Sequence, residues 1–272
     1  MNEIVRLIQN GNVVAFCGAG LSCESGIPAF RGEDGLWEKY DPQKYVSQSG
    51  IDRLLKEDPV ALKEFLLDVL GIIVRAKVNP AHILLSRLER EGYLLGTITQ
   101  NIDGLHHQAG SINIAELHGN IYRFYCPQCL EEVTLTKTQL QGALLRLQIA
   151  KSSREIVHVI KDMMGLCPVC GSRLKSSVIL FGQMLPQDEI EKAEQYIENA
   201  ETLLCIGTSG TVHPAVSFPY YAKENGAQIV TINPQPTVLD EIADLIIAEH
   251  VGKCAQTLLD GFLKIPSKPP AG

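Results

Sequence analysis

The stretch VVAFCGAGLSCESGIPAFRG, Val13 to Gly32, decides how the chain is read. Val13 to Cys17 is a short uncharged run of β-branched and aromatic residues, the pattern of a buried strand. Gly18-Ala19-Gly20 then turns the chain. Two glycines one residue apart permit positive φ and a close backbone approach to a ligand. Ser22, Glu24 and Ser25 suit the start of a short helix, whose free N–H groups favour an anion. The segment is a candidate diphosphate cradle. Its next glycine is Gly26, so the spacing is not the G-x-G-x-x-G of a dinucleotide fold. Taken alone, it fits a strand-turn-helix without a ligand equally well.

Downstream, Tyr93–Thr99, Ser177–Phe181, Thr202–Ile206, Gln228–Ile232 and Asp244–Ala248 read as further β runs. Helical spacing marks Asn2–Gln9, Asp58–Val74, Pro80 to a stop at Gly92, Gln187–Ala200, Ala215–Asn225 and Cys254–Leu263. Strands alternating with helices of this length imply βαβ crossovers and an open parallel α/β sheet. Ligands of such sheets sit beyond the carboxyl ends of the strands. Those ends are small or polar here: Gly18-Ala19-Gly20, Gln100-Asn101-Ile102-Asp103, Gly207-Thr208-Ser209 and Asn233-Pro234-Gln235. They can line one crevice. Residues 33–78 read as a charged aromatic loop followed by helix, an insertion that covers a cleft or forms a plain structural subdomain.

The 272 residues are 45% hydrophobic and 20% charged, enough to bury a full core in one large domain with a smaller insertion. A net charge of −7 argues against nucleic acid as the main partner, because phosphate binding needs a concentrated basic surface. MNEIVRLIQNGN lacks the apolar core of a signal peptide. The longest uncharged run, Thr202 to Ala222, is interrupted by glycine and proline and is not a membrane span. A cytoplasmic location is expected.

Of eight cysteines, four form two C-x-x-C pairs, Cys126/Cys129 and Cys167/Cys170. Each pair sets two thiolates on one side of a tight turn, and two turns complete a tetrahedral sulfur site suited to one structural Zn²⁺. A redox dithiol would call for one pair. Four sulfur ligands leave no open position for water, so no metal catalysis is expected. TQNIDGLHH, ending at His107, brings amides and a carboxylate to a strand end. In ELHGN, Glu116 to Asn120, His118 sits in a loop as a candidate general base. His106, His107, His158 and His250 receive no role.

GAGLSCESGIPAFRG, TQNIDGLHHQAG, ELHGN, the paired C-x-x-C, ILFG, GTS and IN, in that order over Val13 to Leu263, resemble the sirtuins, the NAD-dependent protein deacylases, with FRGEDGLWEKY and GTSG closest to bacterial members. The resemblance implies a Rossmann-like large domain (1–32, 79–122 and 175–272), with a small domain built from a helical module (33–78) and a zinc ribbon (123–174). NAD and an acyl-lysine peptide enter the cleft between them from opposite sides. It implies that Gly18, Ala19, Gly20 and Ser22 hold the phosphates and that Phe30 and Arg31 lie in a mobile cofactor loop, with Trp37 following. Gln100, Asn101, Ile102 and Asp103 surround the nicotinamide end, Asp103 fixing its carboxamide. Gly207, Thr208, Ser209, Asn233, Pro234, Gln235 and Cys254 hold the adenosine end.

By the same resemblance, His118 and Asn101 are catalytic, and Val178, Ile179, Leu180 and Phe181 pair with the peptide as a strand. The acyl-lysine oxygen attacks the ribose carbon that nicotinamide leaves, and His118 draws a proton through the ribose hydroxyls. The resulting imidate rearranges and is hydrolysed by water to free lysine and O-acyl-ADP-ribose. The chain departs from the common pattern at Ala29, Gln183 and Lys175-Ser176. It also lacks the Tyr-x-x-Arg of succinyl-preferring members: Phe65-Leu-Leu-Asp68 stands there, and Asp68 would repel an acidic acyl chain. Acetyl or longer apolar groups are expected. The competing readings are a mono-ADP-ribosyltransferase and a non-catalytic NAD-sensing or partner-binding module; a dehydrogenase fits least.

Overall fold

The computed structural model describes residues 2–29 and 35–262. The chain runs α1 (Asn2–Asn10), β1 (Val13–Cys17), a 3-10 helix (Ala19–Ser25), α2 (Leu36–Lys39), α3 (Pro42–Tyr45), α4 (Gln48–Glu57), α5 (Pro59–Arg75), α6 (Pro80–Arg90), β2 (Leu94–Thr99), α7 (Leu105–Ala109) and β3 (Ile114–Glu116). It continues through β4 (Arg123–Tyr125), β5 (Glu132–Thr134), α8 (Lys137–Ile149), α9 (Ser153–Met163) and β6 (Lys175–Ser176). The last elements are α10 (Gln187–Glu198), β7 (Thr202–Ile206), α11 (Ser217–Glu224), β8 (Gln228–Ile232), a 3-10 turn (Val238–Glu241), β9 (Leu245–Ile247) and α12 (Val251–Phe262).

Six strands form one parallel sheet in the order β3-β2-β1-β7-β8-β9. This is the doubly wound arrangement, and its order reverses between β1 and β7. All five residues of β1 are buried, because helices cover both faces of the sheet. Val13, Ala15 and Cys17 pack with α1, α6 and α12; Val14 and Phe16 face α10 and α11. The expected parallel α/β core is therefore present. β3 was not expected: it is a three-residue edge strand, too short to show alternation.

Helix ends follow local chemistry. Asp58 caps α5 by accepting from Ala61 N, with Pro59 at the first helical position. Asn79 does the same for α6, accepting from Ala81 N at 2.9 Å ahead of Pro80. α12 starts at Val251, ahead of the expected Cys254.

Ser177–Phe181, expected as a strand, joins no sheet apart from a single bridge of Phe181 to Ser47. It runs extended across three elements instead: Ser177 N donates to Arg123 O, Ile179 N to His118 O and Phe181 N to Val46 O. The small antiparallel sheet β5-β4-β6 carries the cysteines. Between its parts, α8 and α9 fold away onto α5, where Leu147, Ala150 and Ile156 meet Leu66 and Leu67. Lys63 Nζ ties the end of α8 to α5 through Gln148 O and Ala150 O at 2.9 and 2.7 Å. The helices of 137–163 thus pack with those of 36–75. Among the described residues no helix is long and apolar enough to cross a membrane.

Candidate active site

The loops that leave β1 and β7 touch at the point where the strand order reverses. Gly18 N donates to Ile206 O at 3.1 Å and Gly20 N to Gly207 O at 2.8 Å. A Cβ on Gly20 would stand 2.8 Å from Gly207 O, and one on Gly207 (φ +60°) 2.2 Å from Leu21 N. These glycines are therefore required by the contact between the two loops, before any ligand is considered. The short helix after them is a 3-10 helix that begins at Ala19 and ends at Gly26 (φ +86°).

The end of β2 brings its side chains under that helix. Asn101 is buried and donates through Nδ2 to Gly18 O at 3.0 Å and Ser22 Oγ at 3.2 Å. Ser22 Oγ donates in turn to Asp103 Oδ2 at 2.7 Å, and Asp103 Oδ1 accepts from Leu105 N at 2.8 Å. Burial raises the pKa of the Asp103 carboxyl; its two hydrogen bonds oppose the rise and the charge of Glu116 adds to it. Gln100 Nε2 reaches Thr208 Oγ1 at 3.1 Å, and Asn233 Nδ2 donates to Thr208 O at 2.8 Å. Residues from the ends of four strands thus meet around one crevice.

His118 lies two residues beyond β3, with its Nδ1 2.9 Å from Gln100 O. Burial lowers the imidazole pKa, opposed by that hydrogen bond. A carbonyl oxygen only accepts, so Nδ1 carries the proton and Nε2 keeps the lone pair of a base. Gly119 (φ +73°) lets the backbone pass Ser177, whose oxygen a Cβ would approach to 2.0 Å.

The remaining expected residues divide. Ile102, like Val178, Ile27 and Leu70, is partly buried and packs on the apolar cluster that holds Ile73, Val74, Ile121 and Tyr122. Ser209 Oγ bonds Thr211 Oγ1 at 2.9 Å, while Pro234 and Gln235 are exposed after β8. Trp37 sits against Phe181, ring centroids 6.2 Å apart. Cys254 is buried in the core cluster that also holds Leu21 and Ile206, and burial pushes its thiol up to about 11. Phe30 and Arg31 lie outside the described residues.

Asp68 is not a bare carboxylate: it accepts from Lys39 Nζ and Tyr40 OH, which hold its pKa down. Phe65 packs with Tyr40 and Tyr45 at centroid distances of 5.0 Å. Asn79 received no role from the sequence, which marked only Pro80 at the helix start. Its Nδ2 also fastens the 3-10 helix through Leu21 O at 2.7 Å and Ser25 Oγ at 3.0 Å.

The sulfurs of Cys126, Cys129, Cys167 and Cys170 all lie within 4.8 Å of one another. A Zn²⁺ with bonds of about 2.3 Å sets its ligands about 3.8 Å apart, so the set fits the ion. The two turns match atom for atom. Leu130 N donates to Cys126 O and Gly171 N to Cys167 O, while Gln128 N and Val169 N each donate to the first sulfur of their own turn at 3.4 Å. The residue after each pair is left-handed, Leu130 at φ +62° and Gly171 at φ +74°.

Residues 18–214, which carry the crevice loops after β1, β2 and β7, His118 and all four cysteines, match the Sir2 family. The chain belongs to the Sir2 family. This Sir2 protein is 38% identical to an NAD-dependent protein deacylase of Pyrococcus abyssi over 92% of its own length and 93% of the relative's. It is 36% identical to one of Aquifex aeolicus, over 93% and 96%. The relatives are mainly archaeal, so no bacterial subgroup is singled out. Among solved structures it resembles a Sir2 bound to a p53 peptide and NAD+, with TM-score 0.73, 30% identity, and 96% and 98% of the two chains covered. It also resembles a Sir2 variant with a deacetylated p53 peptide and 3'-O-acetyl ADP ribose, with TM-score 0.77, 30% identity and the same coverage.

Proposed function

We infer that this chain is an NAD-dependent protein-lysine deacylase that releases nicotinamide and free lysine and forms O-acyl-ADP-ribose. The observation that carries this is the placement of His118, held in its basic tautomer, beside the buried Asn101–Ser22–Asp103 network at the switch point of the sheet. The donor set fits a dinucleotide: backbone and neutral polar groups of Gly18–Gly20, Gln100, Thr208, Ser209 and Asn233 border the crevice, the usual place for such a ligand in this sheet. Bound NAD supplies an electrophilic ribose carbon and a leaving group. This chain's residues position and move protons: Asp103 holds the nicotinamide carboxamide, Asn101 fixes the loop around it, and His118 Nε2 accepts a ribose hydroxyl proton.

The acyl chain enters past Ile27, Leu67, Leu70, Ile102 and Val178, which are all apolar. Selectivity for acetyl or longer apolar groups rests on this wall, since the Asp68 charge is already paired with Lys39. The peptide lies along Val178–Phe181. There it displaces Ser176 Oγ from Val178 N and Gln183 Oε1 from Leu180 N, which now cap the outward edge at 3.2 and 2.8 Å. The cleft separates the sheet domain from a small domain made of the helices of 36–75 and 137–163 and a zinc unit around the cysteines. The zinc ion holds that unit and takes no part in the reaction.

Incubation with NAD and an acetyl-lysine peptide, followed by mass spectrometry, tests the assignment. O-acetyl-ADP-ribose and deacetylated peptide are expected. ADP-ribosylated protein without O-acetyl-ADP-ribose would make the chain an ADP-ribosyltransferase, and no nicotinamide release would make it a binding module.

A further inference from the structure

Glu116 received no role above, yet it is a carboxylate only 3% exposed, two residues before the base. Oε1 accepts from Asn120 Nδ2 at 2.6 Å and lies 3.3 Å from His107 Nε2; Oε2 accepts from Arg123 Nη2. Its own N–H donates to Glu189 Oε2 at 2.8 Å, and Glu189, equally buried on α10, shares Arg123 at 3.1 Å and Lys192 at 3.1 Å. Two buried carboxylates thus meet two cations and a histidine, so the charges are paired.

The geometry around His118 is particular. The Glu116–Asn120 bond closes a five-residue turn with His118 at its centre, and Gly119 N donates to Glu116 O at 2.9 Å inside it. Asn120 is fixed from its other side, since its N–H donates to Ser177 Oγ at 3.1 Å and its Oδ1 accepts from Tyr122 N at 2.9 Å. His107 belongs to α7, which starts at the residue whose N–H is bound by Asp103. One carboxylate therefore touches both the turn that carries the base and the helix that follows the nicotinamide loop.

We propose that Glu116 is a positioning residue for the deacylase reaction, stapling the His118 turn through Asn120 and joining it to the Asp103 loop through His107. The proposal rests on the reading of His118 as the base. Glu116 does not meet substrate; it sets where Nε2 points. Displacement of a catalytic group by about 1 Å costs on the order of 100-fold in rate. A brace that acts only through His118 loses its effect when the imidazole is gone.

The test measures nicotinamide release with NAD and acetyl-lysine peptide for Glu116→Gln and Asn120→Ala, each in the native and in the His118→Ala background. In the native background kcat falls by roughly 10- to 100-fold while both KM values stay within about 2-fold. In the His118→Ala background the same substitutions change kcat by less than about 2-fold. Should Glu116→Gln not fold, Asn120→Ala leaves Arg123 paired and decides alone. Equal slowing in both backgrounds, a rise in KM in place of a fall in kcat, or unchanged kcat overturns the proposal. A His118→Ala single variant at full rate overturns the deacylase mechanism instead, and that single variant reveals it by itself.

Discussion

His118 Nδ1 and the carbonyl oxygen of Gln100 lie 2.9 Å apart, and this one bond selects the imidazole tautomer. Because the oxygen cannot donate, the lone pair faces away from Gln100 at Nε2. Burial lowers the pKa more than this bond raises it, so the folded enzyme keeps the neutral base below the ordinary histidine value of about 6.5. The acid limb of kcat/KM against pH is expected to have its midpoint below about 6.5. A limb above that value would contradict the assigned environment.

Gly119 holds the base turn against Ser177. Gly119→Ala sets a Cβ 2.0 Å from a backbone oxygen at φ +73°, so it is expected to cost more than about 2 kcal/mol and to abolish turnover. Gly226→Ala is the comparison: φ is +88° but nothing lies within 4 Å. It is expected to cost about 1 kcal/mol of left-handed strain and leave turnover unchanged. Urea unfolding and steady-state rates on both variants check the contrast; equal losses would contradict it.

His82 on α6 and His106 on α7 are buried with ring centroids 5.2 Å apart. Among the described residues, His82 Nε2 and both nitrogens of His106 have no hydrogen-bond partner. Burial pushes His82 down to about 4 and, with the charges of His82 and His107 adding, His106 down to about 3. Both are neutral in the folded state, whereas the unfolded chain takes up protons from about pH 6.5 downward. Stability is therefore complete above about pH 6.5 and is lost as pH falls toward 4, roughly 3 to 4 kcal/mol for the pair by pH 5. Unfolding free energies at pH 7.5 and 5.0 test this, with His106→Leu expected to remove about half of the slope. An unchanged slope in the variant would contradict the assignment.

Much of the fold is visible in local pattern. β1, β7 and β8 span the same residues as their apolar runs, and Asp58-Pro59 and Asn79-Pro80 mark two helix starts by capping chemistry. The run after the expected strand at Tyr93–Thr99 also places Asn101 and Asp103 at a strand end, whereas His118 was legible only as a loop histidine because β3 (Ile114–Glu116) carries no strand signal. Other features lack a local signal. Ser177–Phe181 has strand composition but its bonding partners come from three separate elements, which composition cannot encode. The Glu116–Arg123–Glu189 cluster needs Glu189 from α10, 66 residues beyond Arg123, so no local spacing announces it. Cys254 is buried because α12 packs against α6 and the 3-10 helix after β1, within one apolar cluster. For α8 and α9 the signals were present, since Thr136 with Gln139 and Ser152 with Glu155 form capping boxes, but only contact with α5 shows where the helices belong.

The two cysteine turns supply their own control. Leu130 occupies the left-handed position that Gly171 fills in the other turn, and its side chain is 78% exposed. Leu130→Gly is expected to stabilise the protein by about 0.5 to 1 kcal/mol, and Gly171→Leu to destabilise it by about 1 kcal/mol. Thermal melts of the zinc-loaded proteins read both. A chelator is expected to lower the melting temperature of all three forms, because metal binding contributes to folding of this unit. Loss of stability in Leu130→Gly would contradict the matched-turn geometry.

The most direct measurement follows nicotinamide release from NAD with an acetyl-lysine peptide, native protein against His118→Ala. A fall of about 100- to 10,000-fold in kcat, with the fold intact by circular dichroism, is the expected result for loss of a general base. A variant that releases nicotinamide and deacetylated peptide at the native rate would show that His118 is not the base and would contradict the mechanism.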